Sequence, residues 1–315
     1  MVPLPFLTAS AAGSLPMRPI ALEPARIRAA DRRFGLLLVA PSVLILLLIG
    51  LFPLVYTFVV SFQQITMTDV DTTFAGLVNY RQLFGDERLW EALLHTAAIF
   101  LVALPLELVL GLLMAQLFLE TLPGRQVFIA LLVLPTVVAP LIAGAVWRLL
   151  LDNRYGPMNQ ILGWIAGEPV TLLWTVSPVL VYPAILLAEV WQWTPFMFLV
   201  LLAALSNVDR SLTEAADLDG AGFWLTFRSI ILPAIWPVMA IALLIRSLDL
   251  VRIFDVIWAL TEGGPGTMTE TISIYAYVQG FKQFETSYTG AIAFLVIAIL
   301  TVLVTAAIKR MGFAR

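Results

Sequence analysis

The sequence predicts an all-α, polytopic membrane protein with six transmembrane helices. Of its 315 residues, 61% are hydrophobic and only 12% are charged, a balance that a water-soluble domain of this size could hardly cover with polar surface. A hydrocarbon core of about 30 Å requires roughly 20 consecutive apolar residues per helical span. Charge-poor stretches of this length occur at 34–68, 92–119, 126–147, 179–208, 229–250 and 286–308.

The stretches differ in how they are delimited. The first and third carry no charge, and the third, 126–147, is counted as one span. The second carries one acid, Glu107. The fourth lies in a longer charge-poor run, but Pro178 and Pro183 favour a helix start near Val179, because proline disrupts a helix interior.

The lysine and arginine residues are distributed unevenly between the two sides of the membrane. Six spans put both termini on one side, where eleven of the 18 basic residues fall, against seven on the other side. Basic residues in short connections are retained on the cytoplasmic side. Both termini are therefore predicted to be cytoplasmic.

The predicted domain organisation has three parts. Residues 1–33 form a cytoplasmic arm without the apolar core and cleavage site of a signal peptide, and its basic end anchors the first span at the lipid headgroups. Residues 34–312 form the membrane domain, including a cytoplasmic connection at 207–228, and residues 313–315 form a tail. The absence of cysteine excludes disulfides and thiolate metal sites. The one histidine, His95, is predicted to lie at the membrane interface and to bind no metal.

The connection 207–228 has the pattern of two short helices. Ser211 and Glu214 fit a capping box, in which each side chain satisfies a backbone N–H at the helix start. Gly220 then permits a turn. Aromatic residues follow at helical spacing and are expected at the membrane interface, namely Phe223, Trp224 and Phe227.

The same connection carries a family motif. Glu214-Ala215-Ala216, then Gly220, then Ile230-x-Leu232-Pro233 have the spacing of the EAA loop of importer permeases. The chain therefore resembles the permease subunits of type I ATP-binding-cassette importers, in which this loop is the coupling helix that docks into a cleft of an ATPase subunit. The resemblance implies the binding-protein-dependent importer permease fold. It also implies that coupling to the ATPase involves Glu214, Ala215, Ala216, Asp219 and Gly220.

The residue types suit such a role. Ala215, Ala216 and Gly220 are small enough for a partner surface to approach the backbone, and Glu214 offers a carboxylate to a basic group. In the family the matching glutamate contacts an arginine of the ATPase, and only Glu214 takes over that role. The alternative for 211–219 alone is a capped surface helix in which Glu214 completes its own cap.

A second stretch narrows the family. Short motifs follow the fifth span in a fixed order: Phe254-Asp255, Leu260-Thr261 and Gly263-Gly264-Pro265. Together with Asn79-Tyr80 they resemble the carbohydrate branch of these permeases, the maltose/trehalose type. Taken alone, the glycine-proline motif is an ordinary turn. The resemblance covers about residues 34 to 312.

A candidate substrate site lies on the fourth span. One helical face carries a carboxylate, an amide and two aromatic rings, at Glu189, Gln192, Trp193 and Phe196. Ionisable groups inside a span are costly unless they are paired or hydrated, so each is a functional candidate. Rings can cover the C–H faces of a sugar while polar groups bond its hydroxyls. The alternative is that Glu189 and Gln192 hydrogen-bond to neighbouring helices.

Further charges lie near the end of the fifth span. They form an i, i+3 series of alternating sign, at Arg246, Asp249, Arg252 and Asp255. Salt bridges within the series, around a cavity, are the favoured interpretation. Arg246 and Asp249 are also included in the predicted substrate pathway. Glu107 is expected to be buried against another span, where Gly111 permits close helix packing.

These patterns predict the permease subunit of an ATP-driven importer that moves a carbohydrate or sugar-like solute into the cytoplasm. The chain has no Gly-x-x-x-x-Gly-Lys phosphate loop, so it is not expected to be an enzyme itself. The family resemblance implies partners in a bacterial inner membrane: two ATPase subunits that bind ATP and Mg, a second permease subunit, a soluble solute-binding protein and membrane lipid. No cofactor in this chain and no nucleic-acid partner is expected.

Two other classes of membrane protein share part of this pattern. A membrane enzyme is disfavoured, because the sequence has neither a His-Glu-x-x-His helix nor a paired Asp-rich motif. An ion-coupled secondary transporter is the stronger alternative, since it would share the spans and the buried acids Glu107 and Glu189. An inverted repeat, which would favour it, is not evident.

Overall fold

Long apolar helices account for most of the chain. The computed structural model describes residues 29–66, 70–71, 73–120 and 122–311. In this part of the chain, five helices are long and apolar enough to cross a membrane, and a bent helix pair makes a sixth candidate. The prediction of an all-α, polytopic fold is confirmed. Most of the predicted arm, residues 1–28, and the tail 313–315 lie outside the described residues.

The helices are named here in chain order. They are α1 (Ala29–Leu46), α2 (Phe52–Val60), α3 (Val78–Gly85), α4 (Glu87–Leu117), α5 (Arg125–Val137), α6 (Pro140–Leu150), α7 (Pro157–Ala166), α8 (Val181–Ser206), α9 (Arg210–Leu218), α10 (Phe223–Thr226), α11 (Leu232–Val251), α12 (Asp255–Thr261), α13 (Ile272–Tyr277) and α14 (Thr286–Met311). In the part of the chain that the structure describes, π-helical segments follow α1, α10 and α13, at Leu47–Leu51, Phe227–Ile231 and Val278–Lys282. Two short strands, β1 (Gln64–Ile65) and β2 (Val70–Asp71), pair antiparallel.

The chain divides into two units after Val55. The first unit contains α1, the following π-helical segment and the start of α2. The second unit begins at Tyr56 and contains both sites described below. Within it the fourth span starts at Val181, close to the predicted start near Val179.

The third predicted span is two helices rather than one. α5 ends at Val137, α6 begins at Pro140, and the pair is bent by 98°. Val138 and Ala139 between them have extended backbone conformations. Ala139 precedes a proline, and a residue in that position is disfavoured in the helical region. The prediction of one continuous helix at 126–147 was therefore wrong, although the proline that breaks it is visible in the sequence.

The fifth span begins earlier than the sequence predicts. α10 continues through the π-helical segment into α11, so the helical run extends from Phe223 to Val251. No glycine or proline lies between Phe223 and Leu232 to end a helix. Of the two separate short helices predicted in the connection, only α9 is separate. Phe223 and Trp224 instead form the first turn of the fifth span.

The packing of α4 against α8 forms the centre of the second unit. A Cβ added to Gly111 on α4 would lie only 2.6 Å from Cβ of Met197 on α8, so the two backbones approach closely there. Further along the pair, Ala103 and Ala188 are fully buried in one cluster. Helix association in membranes depends on such van der Waals contact between small residues. The expected close packing at Gly111 is confirmed, and α11 packs against both helices.

Candidate functional site

Three charged side chains meet where α4, α8 and α11 come together. Arg246 donates from Nε and Nη2 to the two carboxylate oxygens of Glu107, at 2.8 Å each. The same Nη2 donates to Oε1 of Glu189 at 2.8 Å. The three side chains are almost completely buried, with 1%, 0% and 3% of their surface exposed for Arg246, Glu107 and Glu189. We call this arrangement the arginine triad.

The arginine triad connects three spans through one guanidinium. A buried charge is tolerated only when it is paired and hydrogen-bonded, and a two-pronged arginine–carboxylate contact is among the strongest such pairs. The burial of Glu107 against another span confirms that expectation. The identity of its partner was missed, because Arg246 was assigned to neighbours within its own helix. The sequence feature that could have indicated this pair is a single acid in the second span, Glu107, and a single arginine in the fifth, Arg246.

The predicted series of alternating charges is only partly formed. Arg252 donates to Oδ1 of Asp249 at 2.9 Å, whereas Nη1 of Arg246 lies 3.9 Å from Oδ2 of Asp249. Among the described residues, Asp255 forms no salt bridge. The primary partners of Arg246 therefore lie on other helices. The prediction of a continuous ladder along this segment is corrected.

A cavity of about 390 Å³ opens beside the arginine triad. Its lining comes from α8, from the end of α11 and the start of α12, and from the first residue of α6: Pro140, Glu189, Trp193, Arg246, Asp249, Arg252, Ile253, Phe254, Asp255 and Val256. Four of the six predicted substrate-pathway residues therefore share one cavity. We call it the triad cavity. The break between α5 and α6 supplies Pro140, so the bent span takes part in forming the cavity wall.

Trp193 links the triad to the cavity. The guanidinium of Arg246 lies 4.4 Å from the centre of the Trp193 ring, within the range of a cation–π contact. Phe196 packs edge-on against Trp193 with ring centres 6.4 Å apart, but it does not line the cavity. Of the two predicted aromatic residues, Trp193 thus lines the cavity, whereas Phe196 packs against Trp193 outside it.

Gln192 has a different position from the one predicted. Its Nε2 donates to the backbone carbonyl of Val138 at 2.9 Å, at the break between α5 and α6. Its Oε1 is buried and has no hydrogen-bond partner within the described residues. Gln192 does not line the triad cavity. The alternative interpretation, a polar contact to a neighbouring helix, fits this residue.

The helix start in the connection 207–228 differs from the predicted capping box. Asp209 is the N-cap, and its Oδ1 accepts a hydrogen bond from the backbone N–H of Ser211 at 2.9 Å. This hydrogen bond holds the pKa of Asp209 below its ordinary value. Glu214 is exposed and does not cap the helix. The Ser211–Glu214 capping box was therefore wrong, and the Glu214 carboxylate is left accessible to a partner.

A tight turn ends α9 and exposes the motif. Gly220 has φ of +75°, the left-handed conformation that glycine adopts without strain, as predicted for the turn. The N–H of Asp219 donates to the carbonyl of Ala215, and the N–H of Ala221 to that of Ala216. Ala216 is buried beneath the helix, whereas Ala215 and Asp219 are exposed.

Exposed apolar side chains surround this turn. Leu218 is 91% exposed and Trp224 is 75% exposed, and Leu212 and Phe223 are exposed as well. Several large apolar side chains exposed within one short segment indicate a site of interaction with protein or membrane. The motif residues and these side chains together are called the α9 elbow.

A second polar cluster joins α4 to α13 and α14 and was not identified from the sequence. Asp86, the N-cap of α4, accepts hydrogen bonds from the hydroxyls of Tyr275 and Tyr288. Arg88 pairs with Glu270 through Nε at 2.7 Å. The three partners, Tyr275, Tyr288 and Glu270, are separated from Asp86 and Arg88 by more than half of the chain, so no local pattern indicates the cluster. His95 lies nearby, with Nδ1 3.2 Å from the carbonyl oxygen of Glu270.

Comparison with known proteins gives a consistent family assignment. Residues 84–311 match the model of the family described as binding-protein-dependent transport system inner membrane component. The chain is 35% identical to the trehalose/maltose transport system permease protein MalF of Thermococcus litoralis, over 80% of this chain and 85% of that protein. It is 34% identical to the trehalose transport system permease protein SugA of Mycobacterium tuberculosis, over 91% of each chain.

The solved structures extend this likeness to the fold. A chain of a bacterial ABC transporter involved in the import of the acidic polysaccharide alginate superposes with a TM-score of 0.79 at 23% identity. The match covers 92% of this chain and 99% of the alginate-transporter chain. The two chains therefore share one fold.

Proposed function

The chain belongs to the family of binding-protein-dependent transport system inner membrane components, and from this premise we propose that it is the permease subunit of an ATP-driven importer of a carbohydrate or sugar-like solute. Permeases named for trehalose and maltose are among its relatives of 34–35% identity. The observation that carries the proposal is the α9 elbow, where Glu214 and Ala215 are exposed on a short helix that a left-handed Gly220 closes.

The α9 elbow is proposed to receive the force of ATP hydrolysis from a separate subunit. The free carboxylate of Glu214 can accept a charge-assisted hydrogen bond from a basic group of the partner. Ala215, Ala216, Asp219 and Gly220 complete the coupling surface. α9 leads through a short turn into the fifth span, which carries Arg246, so movement of the elbow has a covalent route to the arginine triad.

ATP and Mg are proposed to bind to partner subunits. The sequence contains no Gly-x-x-x-x-Gly-Lys motif, and its lysines are Lys282 and Lys309 only. The complex is proposed to contain two ATPase subunits, a second permease subunit and a solute-binding protein. A relative of this fold has been solved as a bacterial alginate ABC transporter in complex with a pentasaccharide-bound periplasmic protein. In this arrangement both termini and the α9 elbow face the cytoplasm of a bacterial cell.

The triad cavity is proposed as part of the substrate pathway. It combines Glu189 and the Trp193 ring, both on α8, with Asp249 near the end of α11. An ion-coupled secondary transporter would instead need Glu107 or Glu189 to bind and release a proton or cation. Both carboxylates are held by Arg246, and no observation favours that alternative over the family assignment.

The proposal is tested by purifying the tagged chain from its native membrane without crosslinking. We expect a nucleotide-hydrolysing protein to co-purify and the complex to hydrolyse ATP in lipid vesicles. Vesicles that contain the complex and its binding protein should accumulate labelled sugar only when ATP is present on the ATPase side. Purification of the intact chain without any ATPase, or uptake driven by an ion gradient alone, would refute the proposal.

A further inference from the structure

The charges around the triad cavity indicate which sugars it accepts. We infer that the cavity selects an uncharged sugar unit and disfavours solutes that carry a carboxylate, phosphate or sulfonate group. This inference rests on the proposed function, because it assumes that the substrate passes through this cavity. The inference concerns whether the solute is charged, which the family assignment does not specify. The names of the relatives do not specify it either, because some name trehalose or maltose and another names sulfoquinovosyl glycerol, which carries a sulfonate.

The sign of the charge is the first argument. The cavity lining has three carboxylates, at Glu189, Asp249 and Asp255, and two guanidiniums, at Arg246 and Arg252, so its ionised sum is −1. Glu107 lies behind Arg246 and brings the sum of the cluster to −2. Protonation of one of the two carboxylates, Glu107 or Glu189, would change that sum to −1, and protonation of both would change it to 0. The cluster therefore does not become positive.

The engagement of both arginines is the second argument. Recognition of an anionic group normally uses the planar edge of a guanidinium with two free donors. Arg246 uses Nε and Nη2 for Glu107 and Glu189. One face of its guanidinium is covered by the Trp193 ring, whose centre lies 4.4 Å from Cζ of Arg246. Arg252 donates from Nη2 to Asp249 and from Nε to the carbonyl of Leu248. Each guanidinium that lines the cavity is thus already paired with at least one carboxylate of the chain.

The polar groups left in the cavity suit hydroxyls. Nη1 of Arg246 lies 3.9 Å from Asp249, beyond hydrogen-bond distance, and can donate to a sugar oxygen. Asp255 is exposed and pairs with no basic group among the described residues, so its carboxylate can accept from a sugar hydroxyl. Trp193 and Phe254 add ring surface for C–H groups. A volume of about 390 Å³ is at the lower end of the range for small-molecule pockets, which suits a small sugar.

The test compares pairs of sugar probes of similar size, in which one member is neutral and the other carries a carboxylate in place of a primary alcohol. The complex that co-purifies with this chain is reconstituted in lipid nanodiscs without a binding protein, so that selection by the binding protein is removed. Equilibrium dialysis then measures the binding of labelled trehalose and of the derivative in which one primary alcohol of trehalose is oxidised to a carboxylate. The pair maltose and its uronate is measured in the same way.

At least one uncharged sugar is expected to bind about tenfold more tightly than its carboxylate. The double substitution Asp249→Asn with Asp255→Asn should reduce this preference several-fold, because it removes two negative charges from the lining. The control is Glu91→Gln, which removes a charge from an exposed position on α4 outside the cavity. Added NaCl should also narrow the preference, since salt screens the repulsion of the carboxylate probe.

Three outcomes would overturn the inference. They are carboxylate binding as tight as that of the uncharged sugar, a preference unchanged by the Asp249/Asp255 substitutions, and no binding of either uncharged sugar. Failure of the proposed function is a separate result, because it shows as the absence of a co-purifying ATPase. A complex with ATP-dependent uptake that fails the charge comparison would retain the function and lose this inference alone.

Discussion

Arg246 on α11 and Glu107 on α4 form a two-pronged ion pair, although they are 139 residues apart in the chain. Both hydrogen bonds measure 2.8 Å, and neither side chain has more than 1% of its surface exposed. Glu189 on a third helix, α8, accepts a further hydrogen bond from Arg246. The pair therefore lies where three spans meet, and Arg246 also lines the triad cavity.

Removal of the central arginine should be strongly destabilising. Arg246→Met leaves Glu107 and Glu189 buried without a positive partner, at an expected cost of about 3–5 kcal/mol in the free energy of unfolding. Thermal unfolding of the purified complex in detergent measures this change. Adding Glu107→Gln and Glu189→Gln to Arg246→Met should recover part of the loss, because the unpaired carboxylates are gone. A triple variant no more stable than Arg246→Met would contradict the role assigned to the ion pairs.

Loss of the exposed carboxylate on α9 should uncouple transport. Glu214→Ala is expected to lower both sugar uptake and sugar-stimulated ATP hydrolysis by about tenfold or more, since a hydrogen bond to a charged group is worth about 1.5–3 kcal/mol. Sugar binding to the solute-binding protein should be unchanged. Asp217→Ala is the matched control, because Asp217 is an exposed acid on the same helix. Equal losses in both variants would point to a general effect of surface charge.

The turn after α9 should depend on backbone conformation rather than on space. A Cβ at Gly220 would meet no atom within 4 Å, but the residue has φ of +75°. Gly220→Asn should therefore retain most of the uptake, because asparagine tolerates this conformation. Gly220→Val, which is branched at Cβ, should lose most of it. Uptake assays on vesicles with equal amounts of assembled complex make the comparison, and equal activity of the two variants would argue against a structural requirement at this turn.

The ring of Trp193 should matter for transport more than for assembly. Trp193→Ala removes the cation–π contact with Arg246 and one wall of the triad cavity, and a loss of about tenfold in uptake is expected. Trp193→Phe should retain an intermediate activity. The amount of complex recovered after size-exclusion chromatography reports assembly. If uptake falls only in proportion to the recovered complex, Trp193 acts in packing alone.

The contact of Asp86 with two tyrosines should make stability depend on acid pH. Desolvation raises the pKa of Asp86, but hydrogen bonds from Tyr275, Tyr288 and the backbone N–H groups of Leu89 and Arg88 together outweigh it, so the pKa of the folded state lies below the ordinary value. Burial and the neighbouring carboxylate raise the pKa of Tyr275 to about 12, so its hydroxyl remains a donor at neutral pH.

Because the folded pKa of Asp86 is depressed, its stabilising effect is present above the unfolded pKa. It is lost as the pH falls through the folded pKa. The difference in unfolding temperature between the native chain and Asp86→Asn should thus be largest near neutral pH and should shrink below about pH 4. A difference that stays constant from pH 7 to pH 3 would show that the ionised carboxylate is not what stabilises this contact.

Local features of the sequence were sufficient to predict the helical class, most of the spans and the α9 elbow. Span length and apolar content depend on stretches of about 20 residues, and the spacing from Glu214 to Gly220 lies within two helical turns. The helical face that includes Glu189 and Trp193 was predictable for the same reason, because i, i+4 neighbours share a face.

Tertiary structure decided the partners of the charged side chains. Arg246 has acids at Asp249 and Asp255 on its own segment, yet it pairs with Glu107 and Glu189, because helix packing removes all three from water and each buried charge then requires a partner within reach. The bend before Pro140 likewise has a local signal in the sequence, the proline itself. The packing of the helices decides that this bend places Pro140 in the cavity wall. Sequence spacing specifies which residues share a helix face, whereas the assembly of α4, α8 and α11 specifies which faces meet.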